Sequence, residues 1–375
     1  MSLFQVASDP PTKLGIYRVL SSRAGVRVSP LVLGAMSVGD KWEAHGMGSM
    51  NKESSFKLLD AYFDMGGNFI DTANGYQDET SEEFIGEWAE KRGIRDQLVI
   101  ATKYTSNFKR GNDAIAQKVN YVGNSTKSLH LSVEASLKKL RTSYIDILYV
   151  HWWDYETSIP EVMDSLHNLV AAQKVLYLGV SDTPAWVVSQ ANQYAVDHGK
   201  TPFVVYQGKW SILERSFERE IIPMARSLGM ALSPWGVLAQ GKLRTDAEEE
   251  RRKETGEKGR LMWGPNWERN EGVGKGSRLR LASGPNIAAV AIAYVMHKTP
   301  YVFPIIGGRK VEHLEANLKA LDISLSKEQI AYLESAIPFD PGFPTTMIGD
   351  GSSYTFLLAS VAKMAKQPGL QPITP

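Results

Sequence analysis

Leu31-Val32-Leu33-Gly34-Ala35-Met36-Ser37 opens the first strand-like run of the chain, and its reading separates two architectures. A doubly wound sheet needs a glycine-rich turn of G-x-G-x-x-G spacing after its first strand. Leu33-Gly34-Ala35-Met36-Ser37 lacks that spacing. Seven further runs rich in β-branched and aliphatic residues follow: Asn68-Phe69-Ile70, Leu98-Val99-Ile100-Ala101, Ile145-Asp146-Ile147-Leu148-Tyr149-Val150, Val175-Leu176-Tyr177-Leu178-Gly179-Val180, Phe203-Val204-Val205-Tyr206, Met230-Ala231-Leu232 and Val302-Phe303-Pro304-Ile305-Ile306. Each is followed by a stretch of helical apolar spacing. Continuous apolar character suits strands buried on both faces, as in parallel sheets. Eight strand-then-helix units predict an α/β fold of (β/α)8 TIM-barrel type.

Outward from the repeat, Thr80-Ser81-Glu82-Glu83 predicts a capping box opening the second helix, and Thr183-Pro184 puts proline at a first helical position. Ser326-Lys327-Glu328-Gln329 predicts a second capping box on a late helix outside the repeat. Before the first barrel strand, Tyr17-Arg18-Val19-Leu20 and Val26-Arg27-Val28 flank a turn containing Gly25 and read as a hairpin closing the barrel floor. An insertion after strand seven, over about 245–283, is dense in charge, glycine and tryptophan; a loop of that length is usually functional or disordered. The segment Pro338-Phe339-Asp340-Pro341-Gly342-Phe343-Pro344 leads to an expected amphipathic helix around 354–366. The organisation expected is one domain over 1–375, with a barrel core at about 28–322 and a C-terminal extension at about 323–375.

Composition excludes several classes. The 375 residues are 43 % hydrophobic and 22 % charged, enough for a sizeable core and unlike a disordered chain. Lys+Arg 42 against Asp+Glu 41 leaves a net charge of +1, so no global field attracts nucleic acid or an anionic membrane. With no cysteine, disulfides, thiolate nucleophiles and Cys-based zinc sites are ruled out. The seven histidines are scattered without metal-ligand spacing, so no metal is expected. The start MSLFQVASDPPTKLG lacks the pattern of a secretory signal, and no apolar run would span a bilayer. A cytoplasmic protein is expected, with its oligomeric state open.

In barrels of this kind the site is built at the C-terminal ends of the strands. Strand two ends in Asp71, three in Thr102-Lys103, four in His151, five in Ser181-Asp182, six in Gln207 and seven in Ser233. Tyr76 follows strand two within Asp71-Thr72-Ala73-Asn74-Gly75-Tyr76. A tyrosine of ordinary pKa near 10 is a poor acid or base at neutral pH. A nearby lysine cation is expected to lower it, a carboxylate to fix that lysine, and a histidine to orient a substrate carbonyl. Such a set is equipped to protonate the oxygen of a carbonyl that receives hydride. An alternative is a Lys103 Schiff base of aldolase type, in which Tyr76 and His151 would need other roles.

Asn68-Phe69-Ile70-Asp71-Thr72-Ala73-Asn74-Gly75-Tyr76, Ala101-Thr102-Lys103, His151-Trp152-Trp153-Asp154, Gly179-Val180-Ser181 and Ile306-Gly307-Gly308-Arg309 with Asn317 resemble the aldo-keto reductase superfamily across nearly the whole barrel. Chain length, the insertion and Ser233-Pro234-Trp235-Gly236-Val237-Leu238 resemble its fungal-type aryl-alcohol dehydrogenase branch, which includes norsolorinic acid reductase-like proteins. The resemblance implies NADPH-dependent, reversible reduction of aldehydes or ketones, with Tyr76 as proton donor and Asp71, Lys103 and His151 completing a catalytic tetrad. It implies NADP(H) lying extended across the barrel mouth, touching Gly34, Met36 and Asp71. Ser181 and Gln207 match positions holding the nicotinamide carboxamide, and Asp182 stands where relatives commonly have Asn. The 233–242 segment, through Gly241 and Lys242, matches the loop over the pyrophosphate. Arg309, after Gly307-Gly308, matches the position meeting the 2′-phosphate, and a helix N-terminus there favours an anion. Asn317 matches the adenine contact. Leu232 replaces a common aromatic ring, His313 a common Gln or Arg, and Ala316 a common Glu beside Glu315.

Trp42, Tyr104, Trp152 and Trp153 are expected on rim loops, where with Tyr76 and His151 they would stack a flat aromatic carbonyl. Trp263 and Trp267 in the insertion either close over the site or anchor the loop. Three apparent motifs carry no function. Gly272-Val273-Gly274-Lys275-Gly276-Ser277 follows no strand, Asn124-Ser125-Thr126 has no secretory context, and Glu248-Glu249-Glu250-Arg251-Arg252-Lys253 reads as a solvated helix turn. A rival reading is a cofactor-bound regulatory subunit with little turnover, since a barrel alone does not fix function. The intact set Asp71, Tyr76, Lys103 and His151 favours the enzyme.

Overall fold

The chain enters its core through an antiparallel pair, β1 (Arg18–Ser21) and β2 (Ala24–Val28). The computed structural model describes residues 5–241, 243, 250, 254, 287–335 and 339–375. Among these, eight parallel strands follow: β3 (Val32–Gly34), β4 (Phe69–Asp71), β5 (Val99–Tyr104), β6 (Ile145–Val150), β7 (Val175–Ser181), β8 (Val205–Lys209), β9 (Ala231–Trp235) and β10 (Ile305–Ile306). Their hydrogen-bonded order is β10-β3-β4-β5-β6-β7-β8-β9. A parallel bridge from Leu232 to Val302 closes the ring, with Leu232 N donating to Tyr301 O at 2.9 Å and Phe303 N to Leu232 O at 2.8 Å. The expected (β/α)8 barrel is therefore the observed one.

Helices α1 (Lys52–Asp64), α2 (Thr80–Arg92), α3 (Thr126–Lys139), α4 (Ile159–Ala171), α5 (Ala185–Asp197), α6 (Ile221–Leu228) and α7 (Ile287–Lys298) stand between the strands. After β10 come α8 (Val311–Leu318) and α9 (Lys327–Ser335). Local chemistry starts several of them. Asn51, Ser125 and Ser158 each accept the backbone N–H three residues on, the ordinary way to satisfy a first-turn donor. The box at Ser326 forms in full: Gln329 N donates to Ser326 Oγ at 3.2 Å, and Ser326 N to Gln329 Oε1 at 2.8 Å.

Alternation along each strand divides the core in two. Inside the barrel, Leu20, Ala24 and Val28 of the hairpin pack with Phe69, Val99, Ala101, Ile147, Tyr149 and Phe303. Phe69 and Phe303 meet edge to face at 6.5 Å. Gly179 makes room for Tyr149, whose ring would lie 2.5 Å from any Cβ at that position. The outer set joins the opposite strand faces to the helices. Burying each large side chain of these layers contributes roughly 1.5–3 kcal/mol.

Several local expectations are corrected. The hairpin turns at Ser22-Arg23, with Ser21 Oγ accepting Arg23 N, and Gly25 lies inside β2. Thr80-Ser81-Glu82-Glu83 does not cap α2: its N-cap is Glu79, which makes no side-chain cap bond. Tertiary partners recruit those side chains instead, Ser81 Oγ donating to Ala35 O and Glu82 pairing with Lys139. Pro184 is the N-cap of α5, one residue before the first helical position. The helix expected at 354–366 is a single turn, Phe356–Ala359, with Phe356, Leu357 and Leu358 exposed. A short amphipathic segment without a surface to cover gains too little to propagate. The insertion at 245–283 lies outside the described residues except for Glu250 and Glu254, and so do Trp263, Trp267 and the 272–277 run.

Candidate active site

Strand register brings the first two functional side chains together. Asp71 ends β4 and pairs with Ala101 of β5, so Lys103, two residues further along β5, points to the same interior face. Lys103 Nζ lies 2.5 Å from Asp71 Oδ1 and donates to Thr72 O at 2.7 Å, with the lysine fully buried. The second carboxylate oxygen of Asp71 accepts Gln207 Nε2 at 2.8 Å. Burial alone would push Lys103 down, but first the charge of Asp71, then the neighbouring Tyr76 and hydrogen bonds to both, hold it above its usual 10.5. The buried lysine is therefore a cation at neutral pH.

Tyr76 stands over this pair, with Lys103 Nζ 5.0 Å from its ring centroid. Its ring meets His151 edge-on at 5.9 Å and Trp42 at 6.1 Å. The expectation that Lys103 lowers the phenol is reversed in the net. Burial raises Tyr76 above 10, and the opposing charge and hydrogen bond of Lys103 offset only part of that. His151 is driven down to about 3 by burial and then by the Lys103 charge, so its imidazole is neutral. Its Nδ1 lies 3.4 Å from Ser106 Oγ, which also accepts Trp152 Nε1 at 3.1 Å.

The residues after Tyr76 carry no obvious signal in the sequence. Gln77, Asp78 and Glu79 have φ of 52°, 46° and 84°, three consecutive non-glycine residues in left-handed conformation. Such geometry costs roughly 1–2 kcal/mol per residue and persists only where the surroundings enforce it. Gln77 is fully buried: Oε1 accepts Lys41 N at 3.1 Å and Trp42 N at 2.9 Å, and Nε2 donates to Met36 O at 2.9 Å and Gly48 O at 2.8 Å. Asp78 Oδ1 accepts Trp42 Nε1 at 3.0 Å, and Glu79 pairs with Lys109 and Lys139. Lys139 also donates to Asn74 O at 2.8 Å and pairs with the fully buried Glu82, which accepts Thr102 Oγ1. Sequence reading missed Gln77, Asp78, Ser106 and Lys139, because a polar residue next to a turn has no periodicity to betray it. Asn124 is also structural: buried, it donates to Thr105 Oγ1 and Trp152 O.

The other half of the mouth is formed by β7 to β10. Ser181 and Gln207 are Cα partners, as are Gln207 and Ser233. Among the described residues Ser181 Oγ is buried with no hydrogen-bond partner, and a buried hydroxyl in that state is poised for a polar group from outside. That orphan fits the carboxamide end of a nicotinamide. Asp182 adopts φ 42°, a conformation that Asn and Asp tolerate best, and accepts Trp235 Nε1 at 3.2 Å. Beyond Ser233 and the buried Pro234, the turn at Gly236 (φ 69°) leads through Val237 and Leu238 to Gly241 (φ 80°). Lys242 lies outside the described residues. Gly307, Gly308 and the exposed Arg309 precede α8, whose inward face carries the buried Asn317 and whose exposed face carries His313. A Cβ on Gly48 would stand 3.6 Å from Arg309, so the 36–50 loop reaches this end too.

Several residues of the expected contact set have packing or hydrogen-bonding roles in the barrel itself. Leu232 packs in the helix-facing core with 1 % of its surface exposed. Gly34 is required by the barrel itself, since a Cβ there would lie 2.7 Å from the Ile305 side chain. Met36 contributes its carbonyl to Gln77. Tyr104 is fully buried beneath the helices and reaches Asn124 O, because the residue after the inward Lys103 must point outward. Trp153 likewise joins the outer core, whereas Trp152 is half-buried beside Ser106, at the rim. Among the described residues, no group of His, Asp and Glu could hold a metal ion, and no helix is long and apolar enough to cross a membrane.

A family model described as the aldo/keto reductase family matches residues 30–338. The protein named aryl-alcohol dehydrogenase, NADP(+), of Phanerodontia chrysosporium is 60 % identical over 100 % of both chains. A norsolorinic acid reductase of Emericella nidulans is 53 % identical over 91 % of this chain and 87 % of its own. An aldo-keto reductase of the same organism is 52 % identical over 97 % and 93 %.

Proposed function

The chain belongs to the aldo/keto reductase family, and on that premise we propose that it reduces aromatic aldehydes or ketones reversibly, with NADPH as reductant and Tyr76 as proton donor. The family, and a 60 % identical relative whose name specifies NADP(+), support an NADP-dependent oxidoreductase with NADP(H) as cofactor. When bound, the cofactor supplies hydride to the carbonyl carbon from nicotinamide C4. Ser181 and Gln207 would hold its carboxamide, Ser233 to Lys242 its pyrophosphate, Arg309 its 2′-phosphate and Asn317 its adenine.

The observation that carries the reading is the Tyr76 ring set beside the buried Lys103–Asp71 pair. Reduction leaves negative charge on the carbonyl oxygen, which must receive a proton. With its pKa above 10, Tyr76 holds that proton throughout the neutral range. Lys103, fixed by Asp71, stabilises the phenolate left after transfer and so eases the proton's departure. His151 stays neutral and keeps a ring N–H for the carbonyl; if Ser106 donates to Nδ1, that N–H is on Nε2. A Lys103 Schiff base is disfavoured, because an amine held as a cation lacks the lone pair for carbonyl attack.

Trp42, Tyr76, His151 and Trp152 form the aromatic wall for a flat substrate, in keeping with the aryl-alcohol dehydrogenase relative. The norsolorinic acid reductase relative keeps a polyketide-type aromatic ketone in the same class. The setting implied is a cytoplasmic enzyme acting on a small molecule. Nicotinamide absorbance should fall rapidly when protein and NADPH meet substituted benzaldehydes, with NADH and aliphatic aldehydes slower. Protein that binds NADPH tightly and turns over no carbonyl would overturn the reading.

A further inference from the structure

We propose that Gln77, acting with Asp78, is a positioning residue that sets aromatic-substrate specificity by pinning Trp42 against Tyr76; this rests on the aryl-carbonyl reading above. Gln77 is the residue after the proton donor, and its side chain leaves the acid alone. All four of its hydrogen bonds go to the loop that carries Trp42: inward from Lys41 N and Trp42 N, outward to Met36 O and Gly48 O. A buried amide satisfied at both ends fixes that backbone in one place. Asp78 then fixes the ring by accepting Trp42 Nε1 at 3.0 Å. Arg110 donates to the same Asp78 oxygen at 2.9 Å and lies over the Trp42 ring at 5.5 Å.

The close fit is built in from both sides. Gly39, at φ 122°, lets the loop cross Gln77; a Cβ there would sit 2.5 Å from Gln77 Cβ. From the left-handed backbone at 77 and 78 both side chains reach that loop. A glycine at 77 would hold this backbone with less strain, so the glutamine side chain stands there at a conformational cost. The outcome is a Trp42 ring 6.1 Å from Tyr76 at 71°, a fixed edge beside the reacting oxygen. A bulky aromatic carbonyl must register against that edge, and a short aliphatic aldehyde need not.

The test compares kcat/KM for 4-methoxybenzaldehyde and propanal in the wild type, Gln77→Gly, Gln77→Glu, Trp42→Ala and the Gln77→Gly/Trp42→Ala double variant. Gln77→Gly removes the pins while relaxing the backbone, so the protein is expected to fold. We expect it to lose about tenfold on the benzaldehyde, mostly in KM, and less than about threefold on propanal. Gln77→Glu keeps the acceptor to Lys41 and Trp42 and should recover part of the loss. In the Trp42→Ala background the glycine change should add nothing further. NADPH affinity should stay within about threefold, because the Gly39–Met50 pairing still holds the far side of the loop. Equal losses on both aldehydes, or losses that add to those of Trp42→Ala, would overturn the inference. If the wild type reduces neither aldehyde, the functional reading fails by itself. The same cycle, read on the calorimetric dissociation constant of 4-methoxybenzaldehyde, then decides the positioning role: coupling supports it and additivity overturns it.

Discussion

The two ends of the barrel are made by the same strands and treat polar chemistry in opposite ways. At the hairpin end, Leu20, Ala24 and Val28 close over Phe69, Val99 and Phe303, an apolar plug. At the other end, the same β4 and β5 bury the charges of Asp71 and Lys103. Backbone strain divides in the same way. Left-handed non-glycine residues at the mouth are Gln77, Asp78, Glu79, Thr105, Tyr155, Asp182 and Ala239. At the hairpin end, Arg141 and Gln173 each follow a helix C-cap, where a left-handed residue is an ordinary ending, and Tyr301 precedes the closing strand. Stability is supplied at one end and spent on geometry at the other.

Substitutions at the two ends should therefore separate activity from stability. Tyr76→Phe is expected to lower reductive turnover by about 10²–10⁴-fold, with NADPH binding and melting temperature near wild type. A variant that still turns over at a tenth of the wild-type rate would break the assignment of the acid. Phe303→Ala, in the plug, should cost about 3–5 kcal/mol in denaturant unfolding and leave kcat of the folded fraction unchanged. Loss of kcat without loss of stability would show the two ends to be coupled. Arg309→Ala should weaken NADPH binding by about 10–100-fold, as a charged hydrogen bond to phosphate is worth roughly 1.5–3 kcal/mol, and leave NADH binding nearly unchanged. Equal weakening of both cofactors would place the 2′-phosphate elsewhere. Ser326→Ala removes the α9 cap and should cost about 1 kcal/mol with no kinetic effect.

The pH dependence sharpens the same contrast. His151 sits at about 3 against an ordinary 6.5, so reductive kcat/KM should show no histidine inflection between pH 5 and 8. Above 6.5 the group is neutral both folded and unfolded, and its site is fully compatible with folding. As pH falls, the unfolded chain binds a proton that the folded site refuses, so this contribution to stability is lost from about 6.5 down through 3. Alcohol oxidation needs the phenolate, and with Tyr76 raised its rate should climb with pH toward and beyond 10. An oxidative rate that levels off near pH 7 would mean the bound cofactor, or Lys103, lowers the phenol well below 10.

Much of this protein was already set by local pattern. Eight apolar runs with helical spacing between them suffice for a barrel, because the burial of a strand on both faces is written in its own residues. Asp71, Lys103, His151, Ser181 and Gln207 could be placed because strand ends are where such barrels present polar groups. Strict alternation could have excluded Tyr104 from the rim, given an inward Lys103. Tertiary structure decided the rest. It diverted Ser81 and Glu82 from capping to partners on Ala35 and Lys139, and among the described residues it left Phe356, Leu357 and Leu358 of the 356–359 turn exposed. It set the sign at Tyr76, where burial outweighs a neighbouring cation, and it made Gln77 the anchor of Trp42. Periodicity and residue type belong to the neighbourhood along the chain. Competing burial and charge, and the partner that claims a hydrogen bond, depend on residues brought together only by the closed barrel.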